Sequence, residues 1–299
     1  MLQKERFTTE RYYGRHKIVE LVNGEDGQKF IRKRSGPERL SKAVDAFFIS
    51  KAALMLQNEY NCQILAESRY VPTVRNFYFG KHKNRLEAFM MMDFVQPGFP
   101  LNEYFIPSGQ FTEKAPSINE EGAFKTLRDV THALLIAHSA GVQHHDVKPE
   151  NIIFGEKGGH LIDFGIAKIK GHDYTAKGLG LIYEFGTTHY LSPEQIKGIP
   201  RKETDIYQLG RTIYYVATMA KVDKKNQYST EHPTEYKHPQ PAEKVNPKIK
   251  EFKGLNDLLT ATMDIMPENR PSLGCVLEEL ESLCKYFSAT KNHGKLFGR

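Results

Sequence analysis

Val142-Gln143-His144-His145-Asp146-Val147-Lys148-Pro149-Glu150-Asn151 is followed, after the short apolar run Ile152-Ile153-Phe154, by Leu161-Ile162-Asp163-Phe164-Gly165. The first stretch sets an acid, a cation and an amide on a tight loop, and the second puts another acid at the end of a strand. Three oxygen-bearing side chains take separable tasks. Asp146 can accept a proton from an attacking hydroxyl, while Asn151 and Asp163 can hold a divalent metal against a polyphosphate. Lys148, two residues past the proposed base, is a compact cation able to offset charge on a moving phosphoryl group.

The pair of stretches resembles the catalytic loop and the Asp-Phe-Gly motif of eukaryotic-type protein kinases. Within them it is similar to the Ser/Thr branch, whose loop reads Asp-x-Lys-x-x-Asn. A third stretch, Gly186-Thr187-Thr188-His189-Tyr190-Leu191-Ser192-Pro193-Glu194, resembles the end of a kinase activation segment. The resemblance implies that Thr187 bonds the catalytic aspartate and lysine, and that Glu194 pairs with Arg270 in Asn269-Arg270-Pro271-Ser272. It also implies that Asp205, opening Asp205-Ile206-Tyr207-Gln208-Leu209-Gly210, braces the catalytic-loop backbone, with Tyr207 where Trp is usual. His145 stands where many family members carry Arg, so no fixed charge sits beside the catalytic aspartate.

Upstream, Tyr12 to Val22 reads as strand, turn and strand, with Gly14 the survivor of the three glycines that the family lays over ATP phosphates. Lys29-Phe30-Ile31-Arg32-Lys33 reads as the next strand, fourteen residues after Val19. Period-two alternation puts Ile31 and Lys33 on one face and sends Arg32 and Arg34 to solvent. Ser41 to Leu65 is rich in Ala, Leu, Phe and Met and predicts a long helix. Glu59 is the candidate partner for Lys33, and Glu67 the fallback; Gln63 falls where the family usually buries an apolar residue. Strands are expected around Asn76 to Gly80 and Leu86 to Phe94. The second ends at Gln96-Pro97-Gly98 and resembles the family's hinge. There Met92 would guard the back of the adenine pocket, the backbones of Asp93 and Val95 would bond the adenine edge, and Ile153 would floor the ring.

Apolar residues at Phe124, Leu127, Val130, Leu134 and Ala137 predict a helix over Ile118 to Gly141, ended by glycine. Ile166 to Ser192 is polar without a firm period. Lys221 to Lys250 reads as loop, and helical pattern returns at Leu255 to Met263 and Leu273 to Leu283. The tail from Tyr286 onward is polar and expected to fray.

Composition narrows the classes further. The chain has 299 residues, 39% hydrophobic and 26% charged, which is ordinary for a globular protein. The net charge of +6 comes from scattered basic residues with no aromatic-interleaved stripe, which argues against nucleic acid as the partner. No apolar run is long enough to span a bilayer. Cys62, Cys275 and Cys284 are widely spaced, which fits a reducing, cytoplasmic setting with all three thiols buried.

The fold expected is α+β and bilobal. A small antiparallel-sheet lobe with one long helix occupies residues 8–94, a mainly helical lobe 95–288, and a polar tail 289–299. What the resemblance implies is an ATP- and Mg2+-dependent Ser/Thr protein kinase, acting on protein substrates and open to a regulatory partner. A catalytically weak relative and a small-molecule kinase are the alternatives.

Overall fold

The computed structural model describes residues 11–13, 17–24, 26–35, 51–82, 85–96, 98–102, 118–171, 190–218 and 241–290. Gly14, Thr187 and the first part of the Ser41 to Leu65 stretch lie outside them, as does most of Lys221 to Lys250.

Five antiparallel strands form the first sheet, in the order β1-β2-β3-β5-β4. They are β1 (Arg11–Tyr13), β2 (Lys17–Asn23), β3 (Lys29–Ser35), β4 (Val74–His82) and β5 (Arg85–Asp93). Helix α1 (Lys51–Leu65) crosses between β3 and β4. The strand register sets Ile31 opposite Met92 and Lys33 opposite Met90. Because side chains alternate, these four share the face on which Ala53 and Leu56 of α1 pack, with Ala88, Met90 and Met92, into a small apolar cluster.

The opposite face departs from expectation. Arg34, read as solvent-facing, is only 6% exposed. Its Nη1 donates to Glu87 Oε2 at 2.8 Å, and its Nε lies 3.5 Å from Glu20 Oε1. Arg32 is likewise tied to Glu20 at 2.8 Å. Alternation placed the two arginines on one face correctly. What it could not show is that β2 and β5 set carboxylates beside them, which makes burial of the charges tolerable.

The larger cluster is helical. Asn119 caps α2 (Glu120–Ser139), its side chain accepting from Gly122 N–H, and Gly141 follows the last turn at φ 78°. Phe124, Leu127, Val130, Leu134 and Ala137 are fully buried, as their three-and-four spacing requires. Two hairpin strands, β8 (Ile152–Gly155) and β9 (Gly158–Leu161), pair beside β6 (Phe99–Pro100), and β7 (Val142–Gln143) pairs with β10 (Lys168–Ile169). Then come α3 (Pro193–Ile196), α4 (Glu203–Thr218), α5 (Ala242–Val245), α6 (Lys253–Thr262) and α7 (Leu273–Thr290). Residues 204–218 of α4 are all buried, so this helix is the axis of the lobe.

Two further expectations give way. The last helix does not fray at Tyr286: it runs to Thr290 because Leu280, Leu283, Cys284 and Phe287 keep an apolar stripe, and Phe287 stacks on Phe124 at 5.3 Å. Cys62 and Cys284 are buried, but Cys275 is exposed on the first turn of α7.

Removing the Glu87 carboxylate would leave the buried Arg34 charge with only its longer contact to Glu20, which Arg32 also holds. Glu87→Ala is expected to cost about 3–5 kcal/mol in urea unfolding. A loss under about 1 kcal/mol would show that water solvates Arg34.

Candidate active site

The catalytic-loop stretch is shaped by a single carboxylate. Asp205, on the first turn of α4, accepts from His144 N–H at 2.8 Å and His145 N–H at 2.6 Å, and its Oδ2 lies 2.7 Å from His138 Nε2 on α2. Burial works to raise this carboxyl. The hydrogen bond and charge of His138, with His145 and His144, overcome it and hold the group at about 2. These contacts fix His145 in the left-handed region, at φ 63°, a conformation that a non-glycine residue adopts only under constraint.

His144 is fully buried, its ring edge-on to Phe164 of the Asp-Phe-Gly stretch at 4.7 Å. Its Nε2 faces the Ile162 carbonyl at 3.1 Å, so that nitrogen carries the proton and Nδ1 accepts from Asp146 N–H at 3.2 Å. Burial, above the opposing pull of Asp205, lowers this imidazole to about 4, so it is neutral at pH 7. His145 is buried as well, and burial lowers its pKa. No fixed charge therefore stands beside Asp146 at this position.

Asp146 is bonded through its side chain to Lys148 Nζ at 3.0 and 2.8 Å and to Asn151 Nδ2 at 2.8 Å. Asn151 Nδ2 also donates to the Asp146 carbonyl at 2.8 Å, closing the loop on itself. Burial pushes the Asp146 carboxyl up, Lys148 pulls it down, and the balance is about 6. A carboxylate poised near neutrality is suited to taking a proton.

Asp163 also sits at positive φ, 65°, with its side chain 34% exposed and Oδ1 3.9 Å from Lys33 Nζ. Lys33, 6% exposed, donates to the fully buried Glu59 of α1. Glu67, the fallback, is exposed beyond the helix end. Asn58 Nδ2, next to Glu59, holds the Ala167 carbonyl at 2.9 Å and so ties α1 to the chain after Asp163. Lys33, Glu59 and Asp163 are thus brought together.

Met92 is buried, and Gln63 lies behind it: the amide donates to Pro72 O at 2.7 Å and touches Met92 Sδ at 3.9 Å. The polar residue where an apolar one is usual is therefore hydrogen-bonded through its amide nitrogen, while its buried Oε1 has no partner among the described residues. Asp93 N–H is already spent on Thr73 O at 3.0 Å, so its backbone can serve a ligand only through the carbonyl. Val95 fits closely against two glycines. A Cβ on Gly98 would stand 2.2 Å from Val95 O, and one on Gly155 2.4 Å from Val95 Cγ1. Val19, Ile31, Val95 and Ile153 are each part-buried.

Sequence reading missed His138, Gln195 and Gln208. Glu194, which was read correctly as the partner of Arg270, is gripped at 2.6 and 2.9 Å, and Arg270 lies 4.9 Å over the Tyr207 ring.

Asp205→Asn keeps the size of the side chain but leaves one acceptor oxygen for the His144, His145 and His138 donors. It should destabilise the protein by about 3–5 kcal/mol at pH 7. The wild-type group is depressed from 3.8 to about 2, so its contribution is intact above pH 4 and fades as pH falls through 2. Urea midpoints of both proteins at pH 7 measure the difference.

Comparison with known proteins agrees with this geometry. The family model described as "Protein kinase domain" matches residues 17–282. The chain is 32% identical over 134 residues to a probable serine/threonine-protein kinase, PknB, of Lactococcus lactis, covering 44% of this chain and 20% of that protein. It is 33% identical over 143 residues to the serine/threonine-protein kinase PknL of Mycobacterium tuberculosis, covering 47% and 33%. With a putative serine/threonine-protein kinase of Acanthamoeba polyphaga mimivirus it shares 31% over 159 residues, 52% and 54%. These matches span between a fifth and about half the length of the relatives. With a family match over most of its length, and with the lysine, glutamate and aspartates converging as described, the chain belongs to the protein kinase domain family.

Proposed function

We propose that this chain transfers the ATP γ-phosphoryl group to Ser or Thr hydroxyls of protein substrates, and can autophosphorylate. The observation that carries the reading is the Asp146–Lys148–Asn151 cluster on a loop braced by Asp205, facing a Lys33–Glu59 pair within reach of Asp163. In this reading residues 8–94 and 95–288 form the two lobes and 289–299 a tail. A cytoplasmic setting is in keeping with three unpaired cysteines. No described helix is long and apolar enough to cross a membrane.

The donor set fits magnesium. Among the described residues no cluster of three or more His, Cys, Asp or Glu converges. One carboxylate, Asp163, and the Asn151 side-chain oxygen suit a cation that takes few protein ligands and completes its shell with phosphates and water. Asp163 and Asn151 would hold the metal, which, when bound, would neutralise charge on the nucleotide phosphates.

The chain's own residues supply the rest. Lys33, held by Glu59, places the nucleotide phosphates. Met92, the Asp93 carbonyl, Val95, Ile31, Val19 and Ile153 enclose the adenine, and the family resemblance assigns Gly14 to the cover over the phosphates. Asp146 orients the acceptor hydroxyl and takes its proton onto a carboxylate oxygen. Lys148 stays beside that carboxylate and offsets charge on the transferring group, and the family resemblance assigns Thr187 to bond both. With burial holding His145 neutral beside Asp146, this position itself offers no charge to a phosphate on the activation segment, although the half-buried Lys168 lies near enough to depress the imidazole further. The enzyme is therefore active as folded, or is switched by a partner protein.

Radiolabelled ATP with a basic protein substrate tests the reading, and recovery of phosphotyrosine alone would overturn it. Asp163→Ala should abolish transfer. Asp146→Asn should lower kcat by about 10²–10⁴-fold while nucleotide still raises the melting temperature. Because Asp146 must be ionised, kcat should fall about tenfold per pH unit below pH 6. Phosphatase treatment, Thr175→Ala and Thr188→Ala should each change the rate only a few-fold. A hundredfold loss, about 2.7 kcal/mol, would refute control-free activity.

A further inference from the structure

Two buried glutamines, each about 1% exposed, meet behind the proposed base. Gln208 comes from α4 and Gln195 from α3, directly after Ser192-Pro193-Glu194. Gln208 Oε1 accepts from Val147 N–H at 2.9 Å, and Gln208 Nε2 donates to His145 O at 2.9 Å. Gln195 Nε2 donates to the same carbonyl at 2.9 Å. The two amides also bond each other, Gln208 Nε2 to Gln195 Oε1 at 2.9 Å. Gln195 is anchored in turn by the Ser192 capping box, its Oε1 accepting from Ser192 N–H at 3.1 Å and its N–H donating to Ser192 Oγ at 3.3 Å. Beside the His144 and Asn151 contacts, the backbone on both sides of Asp146 is therefore also held by one uncharged amide pair.

We infer that Gln208 and Gln195 are positioning residues for phosphotransfer, an amide clamp coupling the seat of α3 to the orientation of Asp146. The physical reason is accounting of donors and acceptors. Asp146 N–H is spent on His144 and its carbonyl on Asn151 Nδ2, so the remaining polar groups of its two peptide planes, His145 O and Val147 N–H, complete the fixing of their rotation. Both are buried positions where an unmade hydrogen bond is costly, and both are satisfied by the clamp. Gln208 touches both sides and Gln195 one, so their contributions are unequal. Since they share His145 O as acceptor, either alone satisfies that carbonyl, and their loss is cooperative. The clamp carries no charge, so closing it requires neither a phosphate nor a protonation step. The inference rests on the proposed phosphotransfer activity, and it names what holds the base in place when His145 is neutral.

Gln208→Met, the shorter amide Gln208→Asn, Gln195→Met and the Gln195→Met/Gln208→Met double variant test this in the full chain. Gln208→Met should lower kcat about 100-fold, the loss expected when a catalytic group is misplaced by about an ångström, with KM for ATP within twofold. Gln208→Asn, which keeps a polar amide in the buried site but lacks the reach, should lose activity in the same way. Gln195→Met should lose about tenfold or less, and the double variant more than the product of the singles. Hydrogen exchange of residues 142–151 should quicken at Val147 in the Gln208 variants. Activity that falls only in proportion to the unfolded fraction, or multiplicative losses in the double variant, would overturn the clamp. Should the wild-type protein transfer no phosphate, the functional reading fails separately. Exchange at Val147 then decides: faster exchange in the Gln208 variants sustains the clamp, and unchanged exchange refutes it.

Discussion

The Asp205 carboxylate is the constraint on which the site depends. It is completely buried, and it stays ionised because three donors from two other segments close on it. Remove that charge and the His144 and His145 amides lose their acceptor, His145 has no reason to remain at positive φ, and Asp146 loses its direction. Each of these is a buried polar group whose desolvation the carboxylate offsets. A helix that is buried along its whole length can carry such a group only if the loop it faces is equally fixed.

The second constraint is the way two ion pairs and one charged triad lock neighbouring elements together. Glu194 and Arg270 form a fork of charge-assisted bonds, with Thr204 donating to Glu194 Oε1 at 2.8 Å, so α3 and the first turn of α4 cannot drift from the turn before α7. Lys33 and Glu59 do the same for the sheet and α1. Arg34, Glu20 and Glu87 bind the outer face of three strands. Burial of paired charge gives little net stability, but it excludes alternative packings in which one partner would be left alone.

Much of this was legible in the sequence. Asp146, Lys148, Asn151 and Asp163 declared themselves because their chemistry and spacing occur together, and Asp205, Glu194 and Arg270 because the resemblance supplied partners far along the chain. The long helix α2 was legible from period alone. The rest failed for identifiable reasons. Gln195, Gln208 and His138 act through contacts 50 to 67 residues away, and no local pattern distinguishes a bridging glutamine from a solvated one. The burial of Arg34 required knowing which strands become neighbours. The extension of α7 was hidden because polar residues on its outer side masked the stripe at Leu280, Leu283, Cys284 and Phe287.

The distance along the chain between base and brace has a consequence for synthesis. His145 and Asp205 are 60 residues apart. At ribosomal speeds of about 5–20 residues per second, roughly 3 to 12 seconds separate emergence of the loop from emergence of its carboxylate. During that interval the loop's amides have only water as acceptor, and the Asp205 carboxylate cannot fix the orientation of Asp146. The loop geometry around Asp146 is thus acquired only when the central helix docks.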